Sequence, residues 1–319
     1  MGLMDILAIV VPNALFLAVP LIITALGGVI SERAGIVNIG LEGLMIMGAF
    51  VGIVTNLTLA PIMDDGAKWV ALLAATLASS LFAILHAVAS ITFRADQVIS
   101  GVAINFLALG IGLFAIEKLY GKGQTDSIDV WFNKTSVPYL SDIPILGPLF
   151  FQSTYATNLV AFVLVIIVWF VLFYTPFGLR LRAVGEHPTA ADTMGINVTR
   201  MRYIAVIISG ALGGLGGGIF AQTVSLNFSN GTISGQGFMA LAAMIFGKWH
   251  PLGAMGAALF FGLAQSLVYV QSQVPWLEAV PKVVLDIAPY VLTILALAGF
   301  IGRATAPKAL NTPYVKGSR

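Results

Sequence analysis

The chain has no cysteine, and it is poor in charge: only 9% of its 319 residues are Asp, Glu, Lys or Arg. Without cysteine there are no disulfides, no thiol nucleophiles and no cysteine-based metal sites. A soluble domain carries roughly 25% charged residues, so an ordinary water-soluble fold is excluded. Histidine is scarce too. His86, His187 and His250 lie far apart and form no metal-ligand spacing. There is no Gly-x-x-x-x-Gly-Lys-Ser/Thr phosphate loop, no Ser-His-Asp set, no HExxH and no dinucleotide fingerprint. Gly121-Lys122-Gly123 continues as Gln-Thr and lacks the phosphate-loop spacing. These absences argue against a self-powered pump and against a membrane enzyme. The net charge of +2 gives no case for nucleic acid.

What is present is apolar: 58% of the residues are hydrophobic. That composition predicts an all-α, polytopic transmembrane helix bundle. A span needs about 20 mostly apolar residues. Candidates are Leu3–Ile30, Ile36–Leu57, Trp69–Thr92, Val98–Leu119, Asn158–Tyr174, Tyr203–Gln222, the short Gly237–Gly247, Leu252–Val270 and Val283–Ile301. The count is about nine passes, with a range of eight to ten. The N-terminal run has no Lys or Arg before it and no clear cleavage site, so it reads as a retained span. Residues 1–302 are expected to form one transmembrane domain and 303–319 a tail.

Short loops rich in Lys and Arg face the cytoplasm. The loop 175–202 carries Arg180, Arg182, Arg200 and Arg202, and the tail carries Arg303, Lys308, Lys316 and Arg319. Both are expected inside. The loop 120–157 and the Asp64-Asp65 turn are expected outside, and the N-terminus falls outside by alternation. Two polar interruptions, Ser31–Asn38 and Ser225–Gln236, imply broken helices, a pointer to a transport site.

Charged and amide groups at membrane depth carry functional hypotheses. Asn38 and Glu42 are four apart and share a face if that segment is helical. They either line a conduit or bond backbone freed by the interruption. Asn105, Gln222 and Asn227 complete the candidate pathway; structural bonding is the competing role for Asn105 and Gln222, and Asn227 lies in the polar stretch at the outer mouth. Asp286 is expected to pair with Lys282. Ser209–Gly218 has six glycines in ten residues, which suits either tight helix packing or a sliding face.

The loop 175–202 holds a compact helix signal. Pro188 suits a first turn and Gly195 a C-terminal stop. A capped helix between spans suits a part gripped from the cytoplasm.

Four blocks carry a family resemblance: Ile30–Ala49, Arg94–Asn105, Gly178–Ile196 and Phe238–Gly256. Together they resemble permease subunits of bacterial ATP-binding-cassette importers, in the nucleoside and simple-sugar branch of the ribose and branched-chain amino-acid permeases. The resemblance spans nearly the whole chain. It implies a multi-pass protein of the bacterial cell membrane with no cofactor of its own. ATP and magnesium would be bound by a partner ATPase. A second permease subunit, expected to form a heterodimer with this one, and an external substrate-binding lipoprotein are the other implied partners, beside lipid and a small-molecule substrate. By the same resemblance Glu186, His187, Pro188, Thr189, Ala190, Ala191, Asp192, Met194 and Gly195 contact the ATPase. Nucleosides are the implied substrates, with sugars, purine bases or a flavin left open. An ion-coupled secondary transporter and a structural scaffold are the readings from other classes.

Overall fold

A computed structural model describes residues 3–273, 280–285, 287, 288, 291 and 305–317. The helices are α1 (Leu3–Arg33), α2 (Leu41–Met63), α3 (Ala67–Ala87), α4 (Gln97–Tyr120), α5 (Ala156–Tyr174), α6 (Pro176–Glu186), α7 (Pro188–Thr193), α8 (Val198–Phe220), α9 (Gln236–Phe246) and α10 (Pro251–Tyr269). Wide π turns extend α3 over Val88–Thr92 and α8 over Ala221–Ser225. No named strand occurs among the described residues, only two isolated bridges. Six helical stretches are long and apolar enough to cross a membrane. One of them, Leu41–Thr92, is two helices: it folds back at Asp64–Gly66, and α2 packs on α3. Most of the expected span 283–301, with Asp286, lies outside the described residues.

Helix α1 is apolar all round, and it is buried accordingly. Leu21, Ile22, Ile23, Ala25, Leu26 and Val29 have no exposed surface. It is flanked by α8, α9, α10 and α5. The glycine-rich stretch of α8 is what lets neighbouring backbones close in. A Cβ at Gly214 would stand 2.3 Å from Ser79 on α3, and one at Gly217 would stand 2.0 Å from the Met45 carbonyl on α2. On a third side, a Cβ at Gly216 would fall 2.2 Å from the Thr24 hydroxyl on α1. This answers the sequence alternative in favour of tight packing, by van der Waals contact on three faces.

The first interruption is shorter and later than the sequence suggested. Ser31, Glu32 and Arg33 remain helical, and the chain unwinds over residues 34–40. The cause is a Schellman ending. The Ile36 amide donates to the Ser31 carbonyl (3.2 Å) and the Gly35 amide to the Glu32 carbonyl (2.9 Å), with Gly35 at φ +87°. Asn38 and Glu42 therefore do not share a helix face, because α2 begins only at Leu41.

Groups of like character gather at the two ends of the bundle. Arg33 Nε donates to the Trp249 carbonyl (2.8 Å), and the Ala309 amide of the tail donates to Gly185 (2.9 Å). At the other end, Lys68 pairs with Asp65, Asn56 reaches Val130 (2.9 Å), and the Thr125 amide bonds the Phe228 carbonyl (2.9 Å). The basic loop, tail and Lys248 turn thus share one end, and the acidic turn shares the other with loop 120–157.

Candidate translocation core and coupling surface

Unwound backbone inside an apolar bundle must find every hydrogen bond it has lost. The backbone of residues 34–40 finds partners on two helices, and the Asn38 side chain reaches a third. The Val37 amide donates to Gln97 Oε1 (2.7 Å), and the Val37 carbonyl faces His86 Nε2 (3.0 Å). A carbonyl only accepts, so His86 Nε2 carries the proton and Nδ1 accepts from the Ser100 hydroxyl (2.9 Å). Asn38 Nδ2 donates to Ser209 Oγ (2.9 Å). The start of α2 is then capped from α4. Asn105 Oδ1 accepts from the Gly43 amide (2.7 Å), and its Nδ2 donates to the Ile39 carbonyl (3.1 Å).

Glu42 caps the other broken helix. Its Oε1 accepts from the Gly235 amide (2.6 Å) and its Oε2 from the Gly237 amide (2.7 Å) at the start of α9. The first amides of a helix lack internal partners and attract negative charge. A carboxylate from α2 meets both needs. The approach is close: a Cβ on Gly237 would stand 2.4 Å from Glu42 Cα. Helix α9 has 11 residues, so its capped start lies about 16 Å from its other end. Glu42 therefore joins the two breaks well inside the bundle.

The other pathway residues fall elsewhere. Gln222 sits in the π turn after α8, fully buried, and accepts from Asn56 Nδ2 (2.7 Å). Asn227 is half-buried in the following turn. The expected residues thus split into an inner group, Asn38, Glu42 and Asn105, and a second group near loop 120–157, Gln222 and Asn227. Asn56, His86, Gln97 and Ser209 were missed by the sequence reading. Asn56 and His86 were detectable as lone polar residues within apolar spans. Asn38 Oδ1, Asn56 Oδ1 and Gln222 Nε2 are buried without a partner among the described residues.

At the opposite end from loop 120–157, the turn after α9 is a second Schellman ending. Trp249 N donates to the Met244 carbonyl (3.1 Å) and Lys248 N to the Ile245 carbonyl (2.9 Å). Here lysine takes the glycine position, with Lys248 at φ +55° and Trp249 at φ +53°. Arg33 grips the Trp249 carbonyl, and Glu32 accepts from the Trp249 indole. The His250 ring packs against Phe173 at a tilt of 36°, with centroids 4.8 Å apart. Desolvation, then the charge of Arg33, holds the His250 pKa below its ordinary value.

The segment 175–202 forms α6 and α7. Thr175 Oγ1 caps α6 by accepting from the Gly178 amide (3.3 Å). Helix α7 ends in a third Schellman motif, with Ile196 N on the Ala191 carbonyl (3.0 Å), Gly195 N on the Asp192 carbonyl (2.9 Å) and Gly195 at φ +81°. His187, Thr189, Ala190, Met194 and Gly195 are exposed, while Glu186, Pro188 and Asp192 are partly so. Ala191, expected among the contact residues, is 4% exposed. It faces inward and seats α7 on the protein, which fits the inward side of a Schellman turn. Arg202, one of the four orienting charges, is 1% exposed and donates to the Thr312 carbonyl of the tail (3.1 Å). Arg182 lies over the Phe173 ring (4.9 Å), and Arg180 and Arg200 stay exposed.

Residues 10–297 match the family model described as the branched-chain amino acid transport system / permease component. The guanosine ABC transporter permease protein NupQ of Bacillus subtilis is 60% identical over 100% of both chains. The nucleoside ABC transporter permease protein NupC of Lactococcus lactis is 49% identical over 99% of both. NupB, a nucleoside ABC transporter permease protein of the same organism, is 24% identical over 91% of this chain and 79% of its own. A bundle of apolar helices with two broken helices capped across its interior, matched to one permease model along nearly all its length, belongs to the branched-chain amino acid transport system permease family, as a multi-pass membrane permease component and not an enzyme.

Proposed function

We propose that this chain is the membrane-spanning subunit of an ATP-driven importer that translocates nucleosides. The end-to-end likeness to NupQ and NupC carries the reading. We read residues 1–302 as one permease domain of about nine passes, with loop 175–202 as the coupling segment, loop 120–157 external and 303–319 a cytoplasmic tail. ATP and magnesium act on a separate ATPase that receives α7 through Glu186, His187, Pro188, Thr189, Ala190, Asp192, Met194 and Gly195. Lactococcus lactis has two permeases similar to this chain, NupB and NupC, which supports a pair of unlike permeases. An external binding lipoprotein delivers substrate.

The solute passes the two breaks. Asn38, Glu42 and Asn105 shape the inner half of the pathway, and Gln222 and Asn227 the outer half. The buried, unpartnered amide atoms of Asn38 and Gln222 support a polar, hydrogen-bonding solute. The test is guanosine uptake by the complete transporter in proteoliposomes. ATP inside the compartment bearing α7 should drive uptake. Uptake by this chain alone on a proton or sodium gradient would overturn the reading.

A further inference from the structure

We propose that the C-terminal tail forms the second half of the surface that receives the ATPase, and straps α7 to the first break. The proposal rests on the reading of α7 as the docking helix.

Two bonds and one close approach tie the tail down. The Ala309 amide donates to the Gly185 carbonyl at the end of α6 (2.9 Å). Arg202 Nη1 donates to the Thr312 carbonyl (3.1 Å). Tyr314 lines the same groove as Asp192 on α7. The tail also closes on the first break. A Cβ at Gly35 would stand 3.0 Å from Arg202 Nη2 and 3.1 Å from the Ala309 carbonyl. Gly185 touches the same place, since its Cβ would fall 2.1 Å from the Arg33 carbonyl. A charge is costly to bury without bonded partners. Arg202 is buried under the tail with Nη1 on Thr312, while Nε and Nη2 find no partner among the described residues, so the tail's contact is what this buried charge has.

A groove runs between the tail and the turn after α7, with Gly195, Asn197, Arg200, Tyr314 and Lys316 along it. A second groove on the other side of Gly195 is lined by Arg180, Met194 and Arg200. Asp192 also lines the first groove, so the rim carries one acidic group beside three exposed cations, Arg180, Arg200 and Lys316, and is positive on balance. The occupant they fit is an acidic lip beside the ATPase groove that holds α7. Movement of the ATPase then reaches residues 34–40 by two routes, through Gly185 and through the tail.

The test uses the full transporter with its ATPase and delivery protein. Lys316→Glu should weaken ATPase association about three- to ten-fold, with the loss shrinking as salt is raised. Tyr314→Ala should leave association within about two-fold but lower the nucleoside moved per ATP hydrolysed by several-fold, because the tail loses its packing beside Asp192 in this groove. If association and coupling ratio are unchanged in both variants, the tail proposal is overturned. Loss of affinity for anionic vesicles with ATPase association unchanged would overturn it too, assigning Lys316 to lipid. Met194→Asp, at the exposed tip of the docking turn, separates the two readings. If Met194→Asp weakens association and the tail variants do not, the docking helix stands and the tail falls. If Met194→Asp also has no effect, the docking reading itself falls.

Discussion

Single side chains decide where the broken helices of this protein begin. Glu42 supplies one oxygen to each of two amides, from Gly235 and Gly237. Glu42→Gln turns one acceptor into a donor facing an N–H, which leaves a buried amide unsatisfied at a cost of about 1–3 kcal/mol. The expected outcome is a lower thermal midpoint in detergent and reduced uptake, measured on the same preparation. Lys248 illustrates the opposite case. It holds φ +55° where glycine is the natural occupant, a conformation that costs an L-residue roughly 1–2 kcal/mol. Lys248→Gly should therefore raise the midpoint, by somewhat less than that cost because glycine also loads entropy onto the unfolded chain. A lowered midpoint would mean that the Lys248 side chain holds the turn.

At the level of helices, close approach and end geometry dominate. Gly217→Ala puts a methyl group 2.0 Å from the Met45 carbonyl, and overpacking of this kind costs about 3 kcal/mol or more. Little folded protein should elute from a sizing column. Gly256→Ala is the contrast. It lies on α10 with open space where the Cβ goes, so it should be neutral or stabilising by up to about 1 kcal/mol. Gly195→Pro removes the amide that bonds Asp192 and cannot adopt φ +81°. It should unravel α7 and abolish uptake, with insertion into the membrane intact by protease accessibility. Helix placement was largely legible, because apolar length and charge placement are local properties of the chain. The start of α7 at Pro188 and its stop at Gly195 were legible for the same reason. The start of α2 was not. Ser31, Glu32 and Arg33 look like an interruption by polarity, yet a Schellman turn set by Gly35 keeps them helical. The site was legible only in part. Glu42 stands out as a carboxylate in an apolar run, but its partners Gly235 and Gly237 lie 193 and 195 residues away. No local pattern reports such a distance.

Across the whole molecule, the turn that joins α9 to α10 carries a proton-sensitive group. His250 binds its proton less tightly in the folded protein than in the unfolded chain, whose ordinary value is 6.5. Stability should therefore be full above pH 6.5 and decline as pH falls from there through the lower folded value. His250→Gln should flatten that decline in thermal midpoints taken across mildly acidic pH. An unchanged slope would show that another group titrates. The shared end that joins Arg33, His250, Gly185 and the tail gathers the basic groups on which the orientation reading rests.

The caps on the two broken helices have a consequence for the order in which the protein is made. Asn105 lies 62 residues beyond the Gly43 amide it satisfies. As the chain emerges, α2 must wait in the membrane without its cap until α4 arrives. The start of α9 has the reverse experience, because Glu42 was synthesised 193 residues before Gly235. The first break is completed by a helix made after it, and the second closes on a partner already in place.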